Sequence, residues 1–96
     1  MSLPFETTKL VEICRTNDVA RLGVFGSAVH GDFGPDSDVD LIVEFSKRKS
    51  LLFVVALQRL FTEALGRKVD LLTEAALSPY LRERIIRDVQ VIYEAG

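Results

Sequence analysis

Ninety-six residues with 48% hydrophobic content are enough for one continuous core and not for two, so a single small domain is expected. Twelve basic against fourteen acidic residues leave a net charge of minus two, so no global basic field draws the chain to nucleic acid and no direct nucleic-acid binding is expected. No stretch approaches about 18 uncharged apolar residues, and the N-terminus carries Glu6 and a proline in place of an apolar signal core. The chain therefore reads as soluble and cytoplasmic, with no membrane contact. Its one cysteine, Cys14, has no partner for an internal disulfide, and the neighbours Val11 and Ile13 predict a buried thiol in a reducing compartment.

From Pro4 to Thr16, Phe5, Leu10, Ile13 and Cys14 recur at roughly helical spacing, which predicts an amphipathic helix ending near Asn17. Val19 to Phe25 reads as a short buried strand stopped by Gly26, and Gly31 to Pro35 is dense in turn formers. Val39 to Phe45 is the second strand. After the polar loop Ser46 to Lys49, Ser50 is placed to cap a helix that runs to Leu65, with Gly66 as its C-terminal stop. Val69 to Thr73 is a third strand, introduced by Arg67-Lys68. Ser78-Pro79 signals another helix start, with Leu77, Leu81 and Ile85 along one face, and Val89 to Tyr93 is the last strand. Helix, strand, turn or short helix, strand, helix, strand, helix, strand is an α/β layer pattern around about four strands. The thirteen residues from Gly26 to Asp38 allow either a crossover or a wide return, so the sheet is parallel or mixed.

Chemistry concentrates at the head of the second strand. Side chains on a strand alternate faces, so Asp38 and Asp40 point one way while Val39 and Leu41 enter the opposite layer. Two carboxylates this close repel unless a cation lies between them, and oxygen-only ligands favour a hard ion such as magnesium. Asp70 has a similar setting in the next strand and reaches the same site if the two strands are neighbours. Three carboxylates suit a two-metal arrangement, whereas two alone suit simple metal binding or a solvated acidic turn. Upstream, Gly26 allows close backbone approach to a ligand, and Ser27 brings a hydroxyl and an amide to the start of a short helix, a setting for phosphate oxygens.

The joint pattern is more specific than its parts. Gly26-Ser27, ten intervening residues, Asp38-Val39-Asp40, an apolar strand, then Lys68-Val69-Asp70-Leu71 resembles the minimal nucleotidyltransferase (MNT) domains of the DNA polymerase β-like superfamily. The run from Ser78 to Ile85 is similar to their closing helix. The resemblance implies one nucleotidyltransferase-type domain over residues 1–96, α/β (α+β), with a mixed sheet of about four strands flanked by helices. It further implies that Asp38, Asp40 and Asp70 hold Mg2+, two ions in the full arrangement. Asp70 would assist deprotonation of the acceptor, while Gly26 and Ser27 hold the phosphates of ATP. Where the family commonly has an arginine, this chain has Val29 and His30. An imidazole is a fixed cation only when protonated, and His30 is expected either to donate one hydrogen bond to a phosphate or to be a loop histidine.

The chain has length neither for a template grip nor for an enclosed acceptor pocket, so the acceptor is expected on a second macromolecule. Seven successive apolar residues, Leu51 to Leu57, cannot all face one sheet from a helix, which leaves a surface for a partner, for self-association, or for a closely covered core. The resemblance supplies a partner: minimal domains of this family pair as antitoxins with a HEPN ribonuclease toxin and adenylylate one of its tyrosines. A second reading keeps the fold and neutralises the partner by steric docking alone. Of the remaining charged residues, Lys47-Arg48-Lys49 reads as a solvated loop, and Arg82, Arg84 and Arg87 as solvated or paired with Glu83 and Asp88. Tyr80 and Tyr93 read as core or edge packing.

Overall fold

The computed structural model describes residues 3–95. In chain order the elements are α1 (Thr8–Thr16), β1 (Val19–Phe25), α2 (Ser27–His30), β2 (Val39–Phe45), α3 (Leu51–Leu65), β3 (Val69–Thr73), a single 3-10 turn (Glu74–Ala76), α4 (Pro79–Asp88) and β4 (Gln90–Glu94). One mixed sheet has the order β3-β2-β1-β4. The first two strands pair antiparallel, as do β1 and β4, whereas β2 and β3 run parallel with α3 as their crossover. The stretch between Gly26 and Asp38 is thus a wide return.

One face of the sheet carries the core. Leu22 and Val24, Val39, Leu41 and Val43, and Val69 and Leu71 point into it, against Leu10 and Cys14 of α1 and Leu57 and Phe61 of α3. Burial pushes the Cys14 thiol up to about 12, so no reactive thiolate forms there. Local chemistry sets the helix ends. Ser50 Oγ accepts from the Phe53 amide at 3.2 Å, and Ser78 Oγ accepts from the Leu81 amide at 3.3 Å. Gly66 closes α3 in the left-handed conformation, φ 68°, which a glycine adopts without steric cost. No helix among the described residues is long and apolar enough to cross a membrane.

Several expectations need correction. The first helix begins at Thr8 rather than Pro4; Phe5 lies outside it, with its ring 6.1 Å from that of Phe33. The last strand begins at Gln90, because Val89 is the C-cap of α4 and its side chain lies against Gly23, where a Cβ would collide with it. Lys49 is not merely solvated. Its Nζ lies 2.7 Å from Asp18 and 4.5 Å from the centre of the Phe53 ring. Tyr80 is 70% exposed rather than packed, whereas Tyr93 packs against the core. Arg82 reaches neither Glu83 nor Asp88 but Glu74, at 3.1 Å.

That last contact explains how α4 stays in place. The helix buries no residue of its own, and Leu81 and Ile86 remain partly exposed. Glu74, in the 3-10 turn, is 8% exposed and accepts from Arg82 of α4 and from Arg21 of β1, the latter at 2.9 Å. Burial pushes the Glu74 carboxyl up, but hydrogen bonds led by Arg21, together with its charge, outweigh that and hold it below the ordinary carboxylate range. A depressed folded pKa contributes stability above the unfolded value and loses it as pH falls through the folded one. Glu74→Gln is therefore expected to cost about 1–2 kcal/mol in urea unfolding at neutral pH and to speed amide exchange in α4. The difference from the native protein should shrink as pH falls below the ordinary value of 4.5. A constant difference across pH would refute the assignment.

Candidate active site

Three strands deliver the candidate residues to one end of the sheet. The parallel register places Asp40 of β2 beside Asp70 of β3, and the antiparallel register places it beside Phe25, the last residue of β1. Neighbouring strands lie about 4.8 Å apart, so the two carboxylates leave adjacent backbones on the same face. Asp38 precedes β2 by one residue and shares that face. Gly26, with φ 77° and ψ −146°, turns the chain immediately over Asp40: a Cβ there would press on the Asp40 carboxylate. The position requires glycine both for its dihedrals and for the space.

Beyond Gly26 the chain enters α2, whose first turn closes with the Val29 and His30 amides donating to the Gly26 carbonyl at 3.0 and 3.1 Å. Ser27 is half-buried at its start, and Gly31, φ 84°, ends it. The opening amides of such a turn have no partner within the helix. His30 is exposed, with Nε2 3.5 Å from Asp88 Oδ2, so its imidazole faces the end of α4.

Electrostatics mark Asp40 as the strained member. Partial burial, then the charge of Asp70, then that of Asp38 raise its pKa above the ordinary carboxylate value. Asp38 is relieved on one side by Lys68 Nζ at 3.7 Å. Among the described residues no three acidic, histidine or cysteine side chains already converge as a metal-ligand set. The donor chemistry nevertheless fits a hard divalent ion: all three groups are carboxylates, and the repulsion from Asp70 and Asp38 that adds to the effect of burial on Asp40 is what such an ion relieves.

The sequence reading missed two residues. Arg67, read only as half of a basic pair, holds the loop that leads into Asp38, and Glu74, at the opposite end of β3, ties α4 to the sheet. A basic residue beside a glycine stop was the only local signal for the first, and nothing local marked the second.

Comparison with known proteins agrees with this geometry. The Nucleotidyltransferase domain family matches residues 7–92. A candidate protein adenylyltransferase of Methanocaldococcus jannaschii is 38% identical over 80 residues, covering 83% of this chain and 86% of the relative. The protein adenylyltransferase MntA of Thermococcus cleftensis is 38% identical over 71 residues, covering 74% and 72%. Among solved structures, a candidate minimal nucleotidyltransferase superposes with a TM-score of 0.75 at 34% identity, covering 84% of this chain and 83% of that one. A toxin-antitoxin crystal structure with AMP-PNP gives 0.83 at 20% identity, covering 95% and 75%, and shows the common fold. An MNT antitoxin bound to a tri-AMPylated HEPN toxin of Shewanella oneidensis gives 0.71 at 19%, covering 91% and 68%. The chain belongs to the nucleotidyltransferase domain family, alongside relatives that are protein adenylyltransferases.

A folded pKa raised above the unfolded value means that ionised Asp40 costs stability above that raised value, and that the cost vanishes below the ordinary 3.8. Without divalent cations, Asp40→Asn is expected to be more stable than the native protein at pH 7, by about 1 kcal/mol or less after solvent screening. Thermal melts of both proteins from pH 7 to pH 3 check this; a gap that persists at pH 3 would contradict it.

Proposed function

We propose that this chain transfers AMP from ATP, with Mg2+, to a tyrosine of an all-helical HEPN ribonuclease toxin, and acts as its antitoxin. The observation that carries the reading is the pairing of Asp40 with Asp70 in register, beneath Gly26, in a chain 38% identical to protein adenylyltransferases. In the transfer, the bond from the α-phosphorus to its bridging oxygen breaks, a bond from the tyrosine oxygen forms, and pyrophosphate leaves. The carboxylate of Asp70 receives the phenolic proton. Gly26 and the Ser27 hydroxyl and amide hold phosphate oxygens, and His30 donates one hydrogen bond at the far end of α2. Asp38, Asp40 and Asp70 hold Mg2+, which when bound neutralises the triphosphate and the developing charge. Positioning supplies the rest of the acceleration.

The reading is checked by the intact mass of the toxin after incubation with ATP and Mg2+. A gain of one adenylyl group or more is expected, lost with Asp38→Ala or Asp40→Ala. Toxin that stays unmodified, with both variants equally protective, would leave only steric neutralisation.

A docking surface is a separate requirement, and the outer face of α3 supports one. Leu51 and Leu52 are 77% and 81% exposed, and Val55, one turn further along the helix, is exposed beside them. A Leu52→Asp substitution leaves the buried Leu57 and Phe61 in place, so the fold and ATP binding should persist. Toxin affinity is expected to fall by about 1–3 kcal/mol, measured by calorimetry. A concentration-dependent dimer abolished by the same change, with toxin affinity intact, would assign this face to a second copy instead.

A further inference from the structure

Asp38 stands at the end of an irregular segment, one residue before β2. Between the end of α2 at Gly31 and the start of β2 at Val39 the backbone has turns but no regular structure. Such a segment holds a side chain to the tolerance of a reaction only if something fixes its backbone.

Arg67 supplies that restraint. Its Nη2 donates to the carbonyls of both Gly34 and Pro35, each at 2.8 Å. Its guanidinium carbon lies 4.2 Å from the centre of the Phe33 ring, and Phe33 in turn is tilted against Phe5. One planar group thus grips three successive residues by two hydrogen bonds and a stacking contact. The grip passes directly to Asp38: the Gly34 amide donates to Ser37 Oγ at 2.9 Å, and the Ser37 amide donates to the Gly34 carbonyl at 3.1 Å. On the other side of Asp38, the Val39 amide donates to the Lys68 carbonyl at 2.9 Å. Arg67 and Lys68 lead into β3, the strand that carries Asp70. The loop bearing Asp38 is therefore fastened to the segment that enters with the third carboxylate.

We propose that Arg67 is a positioning residue for nucleotide and metal binding, which sets the separation of Asp38 from Asp70 without touching either ligand. The proposal rests on the functional reading above. A guanidinium is required because Nη2 donates to both carbonyls while the guanidinium carbon lies over the ring face, two places that a single ammonium nitrogen does not occupy at once.

The test compares native protein, R67A, R67K and D40N for Mg2+·ATP binding by calorimetry, and for amide exchange at residues 34–39. Native protein should bind, and D40N should not. R67A is expected to bind about tenfold or more weakly, within the range seen when groups that orient metal ligands are removed. Exchange at the Ser37 and Val39 amides should quicken while exchange across β1 and β4 stays as in the native protein. R67K, which keeps the charge and most of the packing, should restore the melting temperature but not the affinity, so a fold too weak in R67A does not decide the matter. Native-like affinity in either Arg67 variant, beside normal native binding lost in D40N, overturns the Arg67 assignment alone. Native protein without Asp40-dependent binding overturns the functional reading, and this proposal with it.

Discussion

The parallel pairing of β2 with β3 is the constraint on which the site depends. It alone sets Asp40 beside Asp70, because the strand after α3 returns along the same edge and in the same direction. Parallel neighbours cannot be joined by a tight turn, so the fifteen-residue α3 is the geometric cost of the pairing. The core follows from it: a crossover helix must lie on one face, and α1 joins it there, so most buried side chains of β1, β2 and β3 point to that layer, Ile42 being buried on the other face beside Gly23. The opposite face is left with Asp40, Asp70 and the Arg21–Glu74 contact, covered only in part by α4.

Local chemistry and long-range contact divide what the sequence disclosed. Strand limits at Val19–Phe25, Val39–Phe45 and Val69–Thr73 were readable because apolar runs end at glycine, proline or charge within a residue or two. Ser50, Gly66 and Ser78 were readable because capping needs only the next turn of chain. Sheet direction was not: thirteen residues from Gly26 to Asp38 accommodate either path, and the choice lies in burying Leu22 and Val24 beside Leu41 and Val43. Arg67, Lys49 and Arg82 were misread or passed over for one reason. Each makes its defining contact with a partner between 8 and 33 positions away, and charge in a sequence carries no address. Tyr80 failed in the opposite sense, an aromatic with nothing over it.

The site residues show the same division. Spacing alone placed Asp38 and Asp40 on one face, and the alternation held because Val39 and Leu41 are fully buried. Spacing did not reveal why Gly26 is glycine. Beside the positive φ, part of that reason is tertiary: the Asp40 carboxylate lies in the space a side chain would enter, so the turn that opens α2 and the acid on β2 constrain each other. Under the proposed function, this ties the phosphate-holding turn to the metal-holding acid.

Charge compensation then becomes the deciding quantity. A triphosphate brings several negative charges to an edge that already holds three carboxylates. The cations near it are engaged: Arg67 is bound to loop carbonyls and lies over the Phe33 ring, and Lys68 pairs with Asp38. Under the proposed function, nucleotide affinity therefore depends on metal charge more steeply here than in a site with a fixed arginine. Each ion must offset carboxylates and phosphates together, and neither set binds well without the other. Asp40, whose pKa is raised first by burial and then by the charges of Asp70 and Asp38, shows part of the same imbalance before any ligand arrives.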